Sequence, residues 1–132
     1  MLTPKSALVG GIAGLATLAA GSASVQSAPL SYSQHISCAA IFYLFSEDVT
    51  DAEMVGNLEA VTFVMLERAR ALPQGRGLTQ DQLTQAVVTE ARLIRAAMPS
   101  ESTVDQRTEV LISWGPGLGA CLEAALADGS ST

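Results

Sequence analysis

Apolar residues recur every three or four positions along four stretches of the chain, and no stretch alternates in the manner of a β-strand. The first stretch spans residues 31–46. Tyr32, Ile36, Ala39, Ala40, Tyr43 and Leu44 lie on one continuous helical face, and Cys38, Phe42 and Phe45 widen it, so this helix is expected to be buried over a broad arc. The second stretch opens on Thr50-Asp51-Ala52-Glu53, which reads as a capping box, with Thr50 and Glu53 satisfying otherwise unpaired amides. Met54, Leu58, Val61, Met65 and Ala69 form its stripe. Arg68 and Arg70 suit the negative end of its dipole, and Pro73, Gly75 and Gly77 stop it.

The third stretch repeats the capping logic at Thr79-Gln80-Asp81-Gln82 and carries Leu83, Val87, Ala91, Ile94 and Met98 before Pro99 ends it. The fourth begins among Ser100, Glu101, Ser102 and Thr103 and runs through Val104, Thr108, Leu111 and Ile112 to Trp114. Gly115-Pro116-Gly117 must then break or sharply kink the helix, whose pattern resumes with Leu118, Cys121, Leu122 and Ala125. Short linkers favour antiparallel neighbours. The expected fold is all-α: an up-down bundle of about four helices whose last helix is broken at Gly115-Pro116-Gly117.

A different kind of segment precedes the bundle. Residues 1–6 carry one charge, Lys5; residues 7–20 (ALVGGIAGLATLAA) carry none; residues 21–28 (GSASVQSA) are small and polar. This is the three-part layout of a secretory signal peptide. As a helix the apolar run would span about 21 Å, short of the roughly 30 Å hydrocarbon core, so it reads as a cleaved leader and not as a permanent membrane anchor. Cleavage after Ala28 would place Pro29 next to the scissile bond, whereas cuts after Ala23 or Ser27 leave small or compact residues on the leaving side. The expected organisation is a signal peptide over 1–27, cut within 23–27, one helical domain over 28–128, and a fraying tail over 129–132.

Charge narrows the list of partners. Every acid lies at Glu47 or later, and Lys5 is the only base before Arg68. Without the leader, 13 acids face 6 arginines, a formal charge of −7. That balance repels phosphate backbones and anionic lipid, which disfavours nucleic-acid and membrane-surface binding.

Export makes the cysteines informative. Cys38 and Cys121 are the only two, both on expected helices, and in a periplasmic or extracellular setting they should pair. The loop so closed, about 84 residues, is worth on the order of 4.5 kcal/mol in the chain-entropy account. No C-x-x-C is present, so thioredoxin-type redox chemistry and c-type haem attachment lack their motif.

Other chemistry-bearing residues fall short of a site. His35 is the only histidine and has no acid one helical turn away on its own face, so it is expected to face solvent or bond to a cap. Glu47, Asp48, Asp51 and Glu53 concentrate carboxylates without the spacing of a calcium loop, and suit the positive end of the second helix. Gly75-Arg76-Gly77 and Gly115-Pro116-Gly117-Leu118-Gly119 match no phosphate-binding motif. No G-x-S-x-G marks a nucleophile. Met54, Met65 and Met98 read as core filler. Trp114, beside the break, is the candidate interaction residue, with packing under the kink as its default role.

The sequence therefore leads to a non-catalytic, exported protein, periplasmic or secreted, with no cofactor or metal, acting through an unknown protein partner as an envelope component, inhibitor or chaperone-like binder. The alternative is a carrier holding a small apolar ligand between helices, lined by Phe42, Phe45, Trp114 and methionines. Intact-mass analysis of the exported product checks the common premise. The expected mass lacks the first 23–27 residues and two hydrogens; a full-length, thiol-reactive species would refute the leader and the disulfide together.

Overall fold

A computed structural model describes residues 29–131 and places five helices, with no strand, among them. These are α1 (Tyr32–Glu47), α2 (Ala52–Ala71), α3 (Gln80–Ala96), α4 (Val104–Ser113) and α5 (Leu118–Ser131). The signal peptide expected over residues 1–27 lies outside the described residues.

Each of the first four helices starts on a side-chain cap. Ser31, Thr79 and Thr103 form reciprocal capping boxes with Gln34, Gln82 and Gln106: each hydroxyl accepts from the glutamine N–H, and each glutamine Oε1 accepts from the cap N–H at 2.8 Å. The expected box at α2 is displaced by one residue. Asp51, not Thr50, is the N-cap, and its Oδ2 accepts from the Met54 N–H at 3.0 Å. Met54 cannot complete the reciprocal bond, so α2 has a simple cap, with Glu53 in the first turn where the dipole favours an acid. α3 ends at Ala96, before Met98, which packs half-buried beyond the helix.

The break after α4 is built on glycine. Gly115 and Gly117 have φ of +54° and +95°, the left-handed region that glycine enters at no steric cost. A Cβ on Gly117 would sit 2.6 Å from the Ile112 carbonyl oxygen. The chain turns by 65° between α4 and α5, and the Cys121 N–H returns to the Gly117 carbonyl at 3.0 Å to start the new helix. α5 then continues to Ser131, through the stretch expected to fray. Once a helix is nucleated, each further residue adds a hydrogen bond at little cost.

α1 occupies the centre. It packs against α2, α3, α4 and α5, whereas α2 and α3 make at most marginal contact with each other. Consecutive helices are therefore not all neighbours, as the short linkers had suggested. The reason lies in the composition of α1. Cys38, Ala39, Ala40, Ile41 and Phe42 are completely buried in succession, which leaves no side of that helix for water. Met65 and Ala69 of α2, Leu83, Ala91 and Ile94 of α3, Leu111 of α4 and Cys121 of α5 close around it. Four residues drawn on apolar stripes in the sequence lie outside this core: Tyr43, Met54, Val104 and Ile112 are 45%, 47%, 46% and 53% exposed.

Polar ties fix the outer helices. Cys38 and Cys121 form a buried disulfide, Cα–Cα 5.4 Å, which joins α1 to α5 across 83 positions of sequence. The Arg68 guanidinium of α2 donates to the Ala124 and Ala125 carbonyls of α5 at 2.9 and 3.4 Å. Asp48, after α1, takes a two-pronged grip from Arg107 of α4 at 2.8 and 2.9 Å, and Glu47 pairs with Arg95 of α3. Replacing Cys38 and Cys121 together by serine should lower unfolding free energy by about 4 kcal/mol, read as a reduced urea midpoint with far-UV helicity retained before the transition.

Candidate functional site

Most residues singled out in the sequence have structural duties. His35 takes the cap-bonded of its two expected roles and is buried, not solvent-facing; its Nδ1 sits 2.8 Å from the carbonyl of Ser31, the N-cap of α1. Neutral imidazole with the proton on Nδ1 satisfies that bond. Burial holds the ring below its ordinary value of 6.5, against the Ser31 bond, and the nearby Arg68 charge acts in the same direction as burial.

The four clustered carboxylates divide among separate tasks. Glu47 pairs with Arg95, Asp48 with Arg107, Asp51 caps α2, and Glu53 lies in its first turn. Hydrogen bonds from Arg107 keep the Asp48 carboxyl below its ordinary value. Among the described residues, no three histidine, cysteine or acidic side chains are grouped to hold a metal ion. Gly75 belongs to the turn between α2 and α3, where its N–H donates to the Leu72 carbonyl and a Cβ would collide with the Ala69 carbonyl.

Trp114 lies half-buried against the core, and its indole N–H donates to Glu90 Oε2 at 2.8 Å. The same oxygen accepts from the Ser37 hydroxyl at 2.7 Å. Glu90 thus ties α3 to α1 and to the α4–α5 break, and Gly115 fits there because a Cβ would lie 3.2 Å from that of Ser37. Ser37 donates to a carboxylate and has no histidine partner, since His35 is engaged at the other end of the turn.

A surface feature that the sequence reading did not mark is a groove over α1. Because α2 and α3 diverge, Tyr43 of α1 is left uncovered between them. One end, about 300 Å³, is walled by Glu59, Phe63 and Leu66 of α2. The other, about 330 Å³, continues past Leu66 to Thr84, Val87 and Val88 of α3. Tyr43, Thr62 and Leu66 line both, so they form one open, mainly apolar channel. Phe63 is 57% exposed on its wall. The Thr62 hydroxyl donates to the Leu58 carbonyl at 2.7 Å, so it is already satisfied within its own helix.

Phe63 was legible in one respect. It falls outside the Leu58–Val61–Met65 stripe, which predicts its exposure, but only the fold shows that it joins Tyr43 and Leu66 in a contiguous patch. Phe42, Phe45 and Trp114, proposed above as the lining of a ligand cavity, line neither end of the groove; Phe42 is completely buried. No single described helix is long and apolar enough to cross a membrane.

No family model matches the chain, no curated protein matches it, and no solved structure matches it. The groove's geometry therefore carries the functional argument.

His35 supplies a test of the geometry around the start of α1. Its folded pKa is depressed, so the unfolded chain takes up the proton first as pH falls through 6.5. The stability associated with the neutral ring is complete above that pH and is lost as pH falls toward the lower folded value. Urea midpoints of wild type and His35→Gln, compared between about pH 7 and about pH 5, should converge on acidification; a constant difference would contradict the depressed pKa.

Proposed function

We propose that this is an exported, non-catalytic protein, delivered by a signal peptide over residues 1–27 and working by contact with a protein partner in the cell envelope or outside it. The observation that carries the reading is the groove between α2 and α3. Around it the molecule has packed small and large apolar residues tightly, yet Phe63 and Tyr43 remain half uncovered side by side with Leu66. Single exposed apolar side chains are ordinary; a contiguous apolar channel holding two aromatics is the composition of a contact surface.

Two further facts support the compartment and the mode of action. The Cys38–Cys121 disulfide fits an oxidising environment. Asp51 is engaged in a cap, Glu47 and Asp48 in ion pairs, and His35 in a backbone bond, at separate places. The groove is open along its length, which suits a protein segment better than a small apolar molecule, whose affinity depends on enclosure.

Phe63→Ser should change stability by less than about 0.5 kcal/mol, as exposed substitutions do, while weakening partner recovery from the envelope fraction by tenfold or more. The check is quantitative co-purification under native conditions, with Ile112→Ser as the control for an exposed apolar residue elsewhere. Equal recovery with both variants would remove the groove from the function.

A further inference from the structure

The partner's chemistry can be read from the charges around the groove, taking the contact reading above as given. Glu59 is the only charged residue among its lining, and among the described residues it has neither an ion pair nor a side-chain hydrogen bond. The arginines are already committed: Arg68 to α5 carbonyls, Arg70 to Glu67 and Gln80, Arg107 to Asp48, and Arg95, which also meets the Tyr43 hydroxyl at the groove floor, to Glu47, whose carboxylate neutralises it. Arg92, one turn beyond Val88, lies outside the lining. Asp81, one turn before Thr84 on the same helix, is exposed and offsets Arg92.

We propose that the groove takes a helical segment of a basic protein partner, its apolar face seated on Phe63, Tyr43 and Leu66 and a lysine or arginine paired with Glu59. A channel between two helices, floored by a third, has the shape that receives an amphipathic helix. A second copy of this chain fits less well. A two-fold contact would bring Glu59 toward its own symmetry mate, between molecules that each carry a net negative charge.

The probe is a synthetic helical peptide with leucines along one face and lysines on both flanks, compared with the same peptide bearing glutamates for lysines. Binding to the exported product is followed by fluorescence anisotropy, and the contact is mapped by methyl and aromatic NMR shifts. The lysine peptide should bind and shift Phe63, Tyr43 and Val88, and the glutamate peptide should bind at least tenfold more weakly. Glu59→Gln should weaken the lysine peptide about fivefold, an effect that fades at high salt, and Phe63→Ser tenfold or more. Glu109→Gln and Ile112→Ser, on α4, should leave both affinities unchanged.

If Glu59→Gln and Glu109→Gln weaken binding equally, or both peptides bind alike at Phe63, the basic partner is refuted while the groove stands as a contact surface. If Phe63→Ser binds like wild type, the groove itself is refuted. Two further outcomes also overturn the proposal by naming another occupant. A dimer in sedimentation that Phe63→Ser dissociates would assign the groove to a second copy. Loss of peptide binding in the full chain of residues 1–132, relative to the exported product, would assign it to the leader.

Discussion

The structure follows from the need to hide every side of α1. Residues 35–42 are buried without interruption, two full turns at 3.6 residues each, so the helix has no face to offer water. A helix of that kind cannot lie on a surface; it must be surrounded. The other four helices each cover a sector of it, and their own apolar stripes are only as wide as that duty requires. Ala39 and Ala40 let neighbouring backbones approach closely, while Phe42 and Ile41 fill the deeper space. Coverage of α1 takes precedence over contact between consecutive helices, which is why α2 and α3 part company above Tyr43.

A core organised around one helix leaves its last layer weakly held. α5 follows a 65° turn and offers a short apolar stripe, Leu118, Cys121 and Ala125. The disulfide and the Arg68 bonds to the α5 carbonyls compensate, and both reach it from helices far away in sequence. Small domains bury a smaller fraction of their surface than large ones, so a covalent link has more to contribute here than in a larger protein. Glu90 plays the polar counterpart, accepting from Ser37 and Trp114 through one oxygen. Its position fixes the angle of the break, because Gly115 must pass over Ser37 with no side chain of its own.

What the sequence revealed follows the range of each interaction. Caps and stripes are local, and so Thr79, Pro73 and the glycine break could be read in place, while Thr103 was one of four cap candidates. The one-residue displacement from Thr50 to Asp51 shows the grain of that reading: adjacent residues both make good caps, and only the path of the preceding loop chooses. The breadth of the apolar arc on α1 was visible, but its central position was not, since periodicity says which face is buried and not by how many partners. Tyr43 lies on the buried face by angle but not by depth, because α2 and α3 diverge above it. For His35 the cap-bonded alternative holds, since its bond to Ser31 is local, whereas its burial depends on distant packing.

The same separation of local and distant effects accounts for the groove. No single helix contains it; it exists because two helices share a third and diverge. Arginine use follows a parallel logic. Arg68, Arg95 and Arg107 each bridge separate parts of the chain, so much of the positive charge serves cohesion. Carboxylates outnumber arginines, and among the described residues those without such duties face outward. An excess of one charge sign on a small molecule opposes self-association and raises encounter rates with the opposite sign. Apolar contact then needs only one uncovered place to convert encounter into binding. The uncovered place is where Tyr43, Leu66 and Phe63 meet, with Glu59 at its edge.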